Sequence, residues 1–164
     1  MEYFELFGLP VSFHIDTADL RKRYLKLSRE THPDFHSLSS DLEQAAALDR
    51  STRITNAYNV LRDEEKRMKY ILMQKGLLEE EARVQLRPEF LMEMMDLNEA
   101  MAMADGEEEK DALRKQIESI RKELLDIVSP VLNAFDQNSD ESQLSEVVDF
   151  YHKQRYLVRL LEQL

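Results

Sequence analysis

In the second half of the chain, apolar residues recur at spacings of four and three over long stretches. Leu113, Ile117, Ile120, Leu124, Ile127 and Val131 form one series; Val147, Phe150, Leu157, Leu161 and Leu164 form another, with Gln154 in the polar slot. A helix that buries one face has this period; a strand, whose side chains alternate, does not. Two such seams predict antiparallel helices packed as a bundle. The same period predicts helices over about residues 18–31, 41–62, 64–75, 88–104, 107–135 and 142–164. Asp16-Thr17 can cap the first of these, and Pro33 limits it, because the residue before a proline avoids the helical region. Residues 35–40 read as a loop. Lys75-Gly76 has the character of a helix end, and Pro88 suits a first helical turn. Pro130 should kink or end its helix, since it lacks a donor and crowds the preceding turn. Three glycines and four prolines are too few for the tight turns of an all-β protein. The fold class is all-α.

Charge divides the chain more sharply than hydropathy does. Residues 1–75 carry 12 basic and 12 acidic side chains, whereas the remainder carries 10 and 21, so the whole net charge of -11 lies in the second half. An excess of that sign repels DNA and anionic membranes, so neither is expected as a partner. A seam near Gly76 gives a domain over 1–75, a linker over 76–87 that includes Glu79-Glu80-Glu81, and a domain over 88–164. There is no cysteine, which excludes disulfides, thiolate-held metals and thiol nucleophiles. No apolar run approaches the roughly 18–20 residues of a membrane span. The start, Met1-Glu2-Tyr3-Phe4-Glu5, has neither the basic, apolar pattern of a signal peptide nor the Arg-rich pattern of a mitochondrial presequence. A cytoplasmic location is expected, or the mitochondrial matrix if a presequence has been removed.

On the first long helix, at about 100° per residue, Leu20, Tyr24, Leu27 and Thr31 share one face. Lys22, Lys26 and Arg29 share the opposite face, with Arg21 at its edge, and the helix stops at His32-Pro33-Asp34. A basic stripe that ends in His-Pro-Asp and is followed by a loop and a second long helix resembles a J-domain. Further matches are Tyr3-Phe4-Glu5-Leu6-Phe7-Gly8-Leu9, Tyr24 eight residues before His32, Ala57-Tyr58-Asn59-Val60-Leu61, Arg67 and Tyr70. The tripeptide alone occurs often by chance; within this frame it is specific. The resemblance covers about residues 1–75. It implies docking to a DnaK-class ATPase chaperone through His32, Pro33, Asp34, Arg21, Lys22, Lys26 and Arg29. Hydrolysis would be accelerated in the partner, with no catalytic residue in this chain. The chemistry suits that role: proline rigidifies the loop, Asp34 can accept from an arginine, and surface charge of one sign speeds encounter with an acidic groove.

The helix over 88–104 has apolar residues on two sides. Met94, Leu97, Met101 and Ala104 gather within about 40° of Phe90 and form a core stripe with it. Leu91, Met92, Met95 and Met103 lie on the other side, together with Asp96 and Glu99. Methionine adapts to many partners, and an exposed apolar patch rimmed by acids marks an interaction site. A second helix covering both stripes, or dimerisation through the patch, would also account for it. Phe90-Leu91-Met92-Glu93-Met94-Met95-Asp96-Leu97 is similar to a segment of HscB-type co-chaperones of iron–sulfur cluster assembly. These combine an N-terminal J-domain with a C-terminal three-helix domain. That resemblance implies a surface for the scaffold protein IscU made of Leu91, Met92, Met95, Asp96, Glu99 and Met103, with Tyr156 from Gln154-Arg155-Tyr156-Leu157. Tyr156 lies about 130° from the seam of its own helix and so can be exposed. The family often has Leu at the position of Met95, Glu at Asp96 and Phe at Tyr156.

The resemblance implies an adaptor that delivers IscU to an HscA-like chaperone, stimulates that chaperone's ATPase, and works as a monomer without a cofactor. A J-domain co-chaperone for a different client is the alternative. A third reading, of another class, takes His32, Asp34 and His36 as metal ligands or as a hydrolytic cluster. It lacks a fourth ligand, a His-Glu-x-x-His helix and a nucleophile elbow, so no metal is expected.

Overall fold

The structure is a computed structural model that describes residues 1–32, 34, 40–80 and 84–164. Among these residues there are seven helices and no strand, in two compact units, Met1–Gly76 and Leu77–Leu164. The expected loop over 35–40 lies outside the described residues except for Ser40, as do Pro33, His36 and Glu81.

In the first unit a short helix, α1 (Glu2–Leu6), precedes the pair α2 (Thr17–Thr31) and α3 (Asp41–Leu61), and α4 (Glu64–Gln74) closes it. The starts of α2, α3 and α4 have a chemical cause. The Asp16 carboxylate accepts from the backbone N–H groups of Ala18 and Asp19, Ser40 Oγ accepts from Glu43, and Asp63 accepts from Lys66. These caps satisfy donors that a helix start leaves without partners. After α4, Gly76 takes φ 70°, a left-handed conformation that glycine adopts without strain, and the chain leaves the helix there.

Leu20, Ile54, Ala57, Leu61, Ile71 and Leu72 are fully buried, with Phe4 and Phe7 of the first segment also in the core. Tyr24 stacks on Tyr58 with centroids 4.1 Å apart, joining α2 to α3. Tyr3 stacks on Tyr70 at 4.5 Å, and the Tyr3 N–H donates to the Tyr70 hydroxyl, joining α1 to α4. Arg67 is buried, and its guanidinium donates to the carbonyls of Phe13 and Leu61. It fastens the segment before α2 and the end of α3 to α4. Arg67→Met should cost about 3 kcal/mol, because two carbonyls lose a charged donor away from water. Urea unfolding measures this; a loss under about 1 kcal/mol would mean that both carbonyls find water instead.

The second unit is a three-helix arrangement of α5 (Pro88–Met103), α6 (Glu107–Asn138) and α7 (Leu144–Glu162). Pro88 occupies the first turn of α5, where its missing N–H removes no helical bond. Phe90, Met94, Leu97, Leu113, Ile117, Leu157 and Leu160 form one core cluster, against which Met101, Ala104, Ile120, Leu124, Leu161 and Leu164 pack at partial burial.

Helix α6 runs through Pro130 to Asn138, so of the kink or end expected there, the end does not occur. Val128, Val131 and Leu132 around the proline are all buried, so packing holds both flanks in place, and Pro130 itself is exposed. Ile127, placed on the seam by the four-three spacing, is 71% exposed, and Val128 is buried in its stead. Taking Leu113 as zero, the buried Ile117, Val128 and Phe135 lie at about 40°, 60° and 40°, so the buried face is centred to one side of Leu113 and Ile127, at about -40°, falls off its opposite edge.

Candidate functional site

The basic face of α2 follows from the burial of its other side. Leu20 and Thr31 are buried and Tyr24 and Leu27 half-buried, which directs Arg21, Lys22, Lys26 and Arg29 outward. All four are exposed, and none has an ion-pair partner among the described residues. Arg23, which interrupts the stripe in sequence, turns away from it. Its Nε donates to Asp19 at 2.8 Å and its Nη1 to the Phe7 carbonyl at 2.8 Å, tying α2 to the end of α1. Its angle, about 60° from the buried Leu20, and the Asp19–Arg23 spacing of four both set this arginine apart from the outward stripe.

His32 ends α2 in an extended conformation, φ -64° and ψ 136°. Its Nδ1 accepts from the Asp34 N–H at 3.2 Å and lies 3.5 Å from the Asp34 carboxylate. The Asp34 side chain is 89% exposed. Imidazole and carboxylate are thus both held at the end of the basic helix. Among the described residues no group of three or more histidine or acidic side chains could hold a metal ion. The trio with His36 lies outside that description.

On α5 the two stripes separate as their angles require. Phe90, Met94 and Leu97 are buried, whereas Leu91, Met92, Met95 and Met103 are 41, 66, 69 and 74% exposed. Asp96 and Glu99 are exposed on the same side. Neither α6 nor α7 covers this stripe.

Tyr156 differs from the expectation of an exposed side chain. It is half-buried against the core cluster, edge-on to the Phe90 ring at 6.2 Å and 81°. Its hydroxyl accepts from Asn98 Nδ2 at 3.0 Å. The reason is that α5 lies beside this part of α7, so a ring 130° from the seam meets a second helix rather than water. Lys153, one turn earlier, places its ammonium 5.5 Å from the centre of the Phe90 ring and pairs with Asp149 at 2.8 Å. Burial lowers the His152 imidazole below its ordinary value, with Asp149 opposing the shift. Asn98 and Lys153 have no signal of their own in the sequence, because only the packing of α5 on α7 brings them to Phe90 and Tyr156.

These two faces can be compared with known proteins. Residues 2–70 match the DnaJ domain and residues 86–164 match the HSCB C-terminal oligomerisation domain. The co-chaperone protein HscB homolog of Vibrio atlanticus is 31% identical over 98% of this chain and 92% of its own length. The human iron-sulfur cluster co-chaperone protein HscB is 35% identical over 99% of this chain and 67% of its own. The crystal structure of human co-chaperone protein HscB superposes with a TM-score of 0.82 at 32% identity, covering 99% of this chain and 80% of that one. Chaperone HscB from Vibrio cholerae gives 0.76 at 28% identity, covering 99% and 94%. With a J-domain at one end, an HscB-type helical domain at the other and full-length relatives that share both, the chain belongs to the HscB family of J-domain co-chaperones of iron–sulfur cluster assembly.

Proposed function

We propose that the chain is a two-ended adaptor. The α2 face, with Arg21, Lys22, Lys26, Arg29 and the His32-Pro33-Asp34 turn, docks on an HscA/DnaK-class chaperone and accelerates its ATP hydrolysis. The outer stripe of α5, Leu91, Met92, Met95, Asp96, Glu99 and Met103, joined by Tyr156, binds an IscU-type scaffold and brings it to that chaperone. The carrying observation is the α5 stripe: Met92, Met95 and Met103 stand at 66–74% exposure beside buried Phe90, Met94 and Leu97. Leaving so much apolar surface in water is unfavourable unless a partner covers it. The J-domain supports the other half, since it supplies no chemistry of its own and works by biasing the conformational equilibrium of the ATPase it binds.

The test is steady-state ATP hydrolysis by the cognate chaperone, with this protein and IscU added separately and together. Each alone should stimulate weakly and the pair more than additively, because the client binds tighter once delivered. Additive rates would leave a J-domain co-chaperone for another client.

The two contacts should differ in their response to salt. Exposed lysines and arginines make the chaperone contact largely electrostatic, so raising salt from about 0.05 to 0.5 M should weaken it on the order of tenfold as the screening length shrinks. The apolar α5 contact should change by less than about threefold. Calorimetric titration of each partner measures both; equal salt dependence would contradict the division.

A further inference from the structure

Asn98 fixes the direction in which the Tyr156 hydroxyl can donate. Its Nδ2 donates to the Met94 carbonyl at 2.9 Å and to the Tyr156 hydroxyl at 3.0 Å. A carbonyl can only accept, so the Met94 bond determines which end of the amide is nitrogen. The Tyr156 oxygen is therefore an acceptor in this pair, and its own hydrogen is left to donate elsewhere. Among the described residues that hydrogen has no acceptor.

Position directs it toward the client surface. On α5, Asn98 lies about 80° from Phe90, between the buried stripe and Leu91 and Met95 at about 100° and 140°. Met95 is three residues from Asn98 and so its neighbour on the helix surface. The phenol oxygen held by Asn98 therefore sits at the Leu91–Met95 border of the stripe, away from Asp96, Glu99 and Met103 at about 180–240°.

We infer that the Tyr156 hydroxyl is a specificity-determining hydrogen-bond donor to a neutral carbonyl oxygen of the bound scaffold, with Asn98 as its positioning residue. The inference rests on the adaptor reading above and adds a directed polar contact to an otherwise apolar face. A neutral acceptor is favoured over a carboxylate because this half of the chain carries the entire net charge of -11, which opposes an approaching anion.

The experiment is titration of the IscU-type scaffold into the full-length protein and its Tyr156→Phe, Asn98→Ala, double and Leu91→Ala variants, at low and high salt. Tyr156→Phe keeps the ring and removes the donor, so affinity should fall about three- to tenfold, equally at both salts, with an unchanged melting temperature. Asn98→Ala should weaken binding in the wild-type background and have no further effect when Phe is at 156. A purely structural Asn98 would weaken binding equally in both backgrounds. If Leu91→Ala weakens binding and Tyr156→Phe does not, the donor role is overturned and the adaptor reading stands. A Tyr156→Phe loss that shrinks at high salt would point to a carboxylate and overturn the neutral acceptor. If the wild type does not bind the scaffold, both inferences fall.

Discussion

His32→Gln is expected to leave the fold intact and to abolish stimulation of the partner ATPase. The side chain is 51% exposed and contributes nothing to the buried core of its unit. Its one described bond, from the Asp34 N–H, is made at an exposed turn. Loss of an exposed side chain away from packing changes stability by no more than about 0.5 kcal/mol, so the melting temperature should move by only a few degrees. What changes is the flat imidazole beside the Asp34 carboxylate. If each contributes a hydrogen bond involving a charged group in the complex, losing one costs about 1.5–3 kcal/mol, more than tenfold in stimulation. Steady-state hydrolysis with equal amounts of folded wild type and variant decides it. Normal stimulation by a folded His32→Gln protein would remove this turn from the mechanism.

The second large effect belongs to the other unit. Changing Leu91, Met92 and Met95 together to alanine should lower scaffold affinity on the order of a hundredfold, about 2.7 kcal/mol. The same change should barely alter the melting temperature, because two of the three are more than 60% exposed and none joins the core cluster. Phe90→Ala reverses this pattern. Its ring lies in the core under the edge of Tyr156 and beside Lys153, and deletion should cost about 3–5 kcal/mol of stability. Thermal unfolding and calorimetric titration on the same preparations separate the two roles. A triple variant that unfolds, yet binds normally when folded, would show the faces to be exchanged.

The sequence makes the helices and the two stripes of α5 legible because both depend on one physical regularity, the 3.6-residue turn. Burial of Phe90, Met94 and Leu97 against exposure of Met92 and Met95 follows from angle alone. Angles measured on a single helix do not show which other helix lies nearby. For that reason the angle on α7 leaves Tyr156 able to face water, whereas α5 half-covers it. Ile127 illustrates a second limit: a four-three spacing gives the period of a helix but not the centre of its buried face, which on α6 lies on the Ile117, Val128 and Phe135 side. Pro130 illustrates a third, since local preference against proline is overridden where buried side chains hold the turns on either side. The docking role proposed for His32 and Asp34 is legible only through the J-domain frame, because isolated exposed side chains carry no periodicity.

The separation of the two stripes on α5 also determines how this surface can evolve. Met92, Met95 and Met103 take no part in the core, so each can be exchanged one side chain at a time at almost no cost in folding. Length is another matter. One residue inserted between Phe90 and Leu97 would rotate everything beyond it by about 100°, turning Leu97 out of the core and carrying a polar neighbour into it. The helix therefore tolerates drift in what it displays and rejects insertions or deletions, so that relatives should differ here by substitution alone.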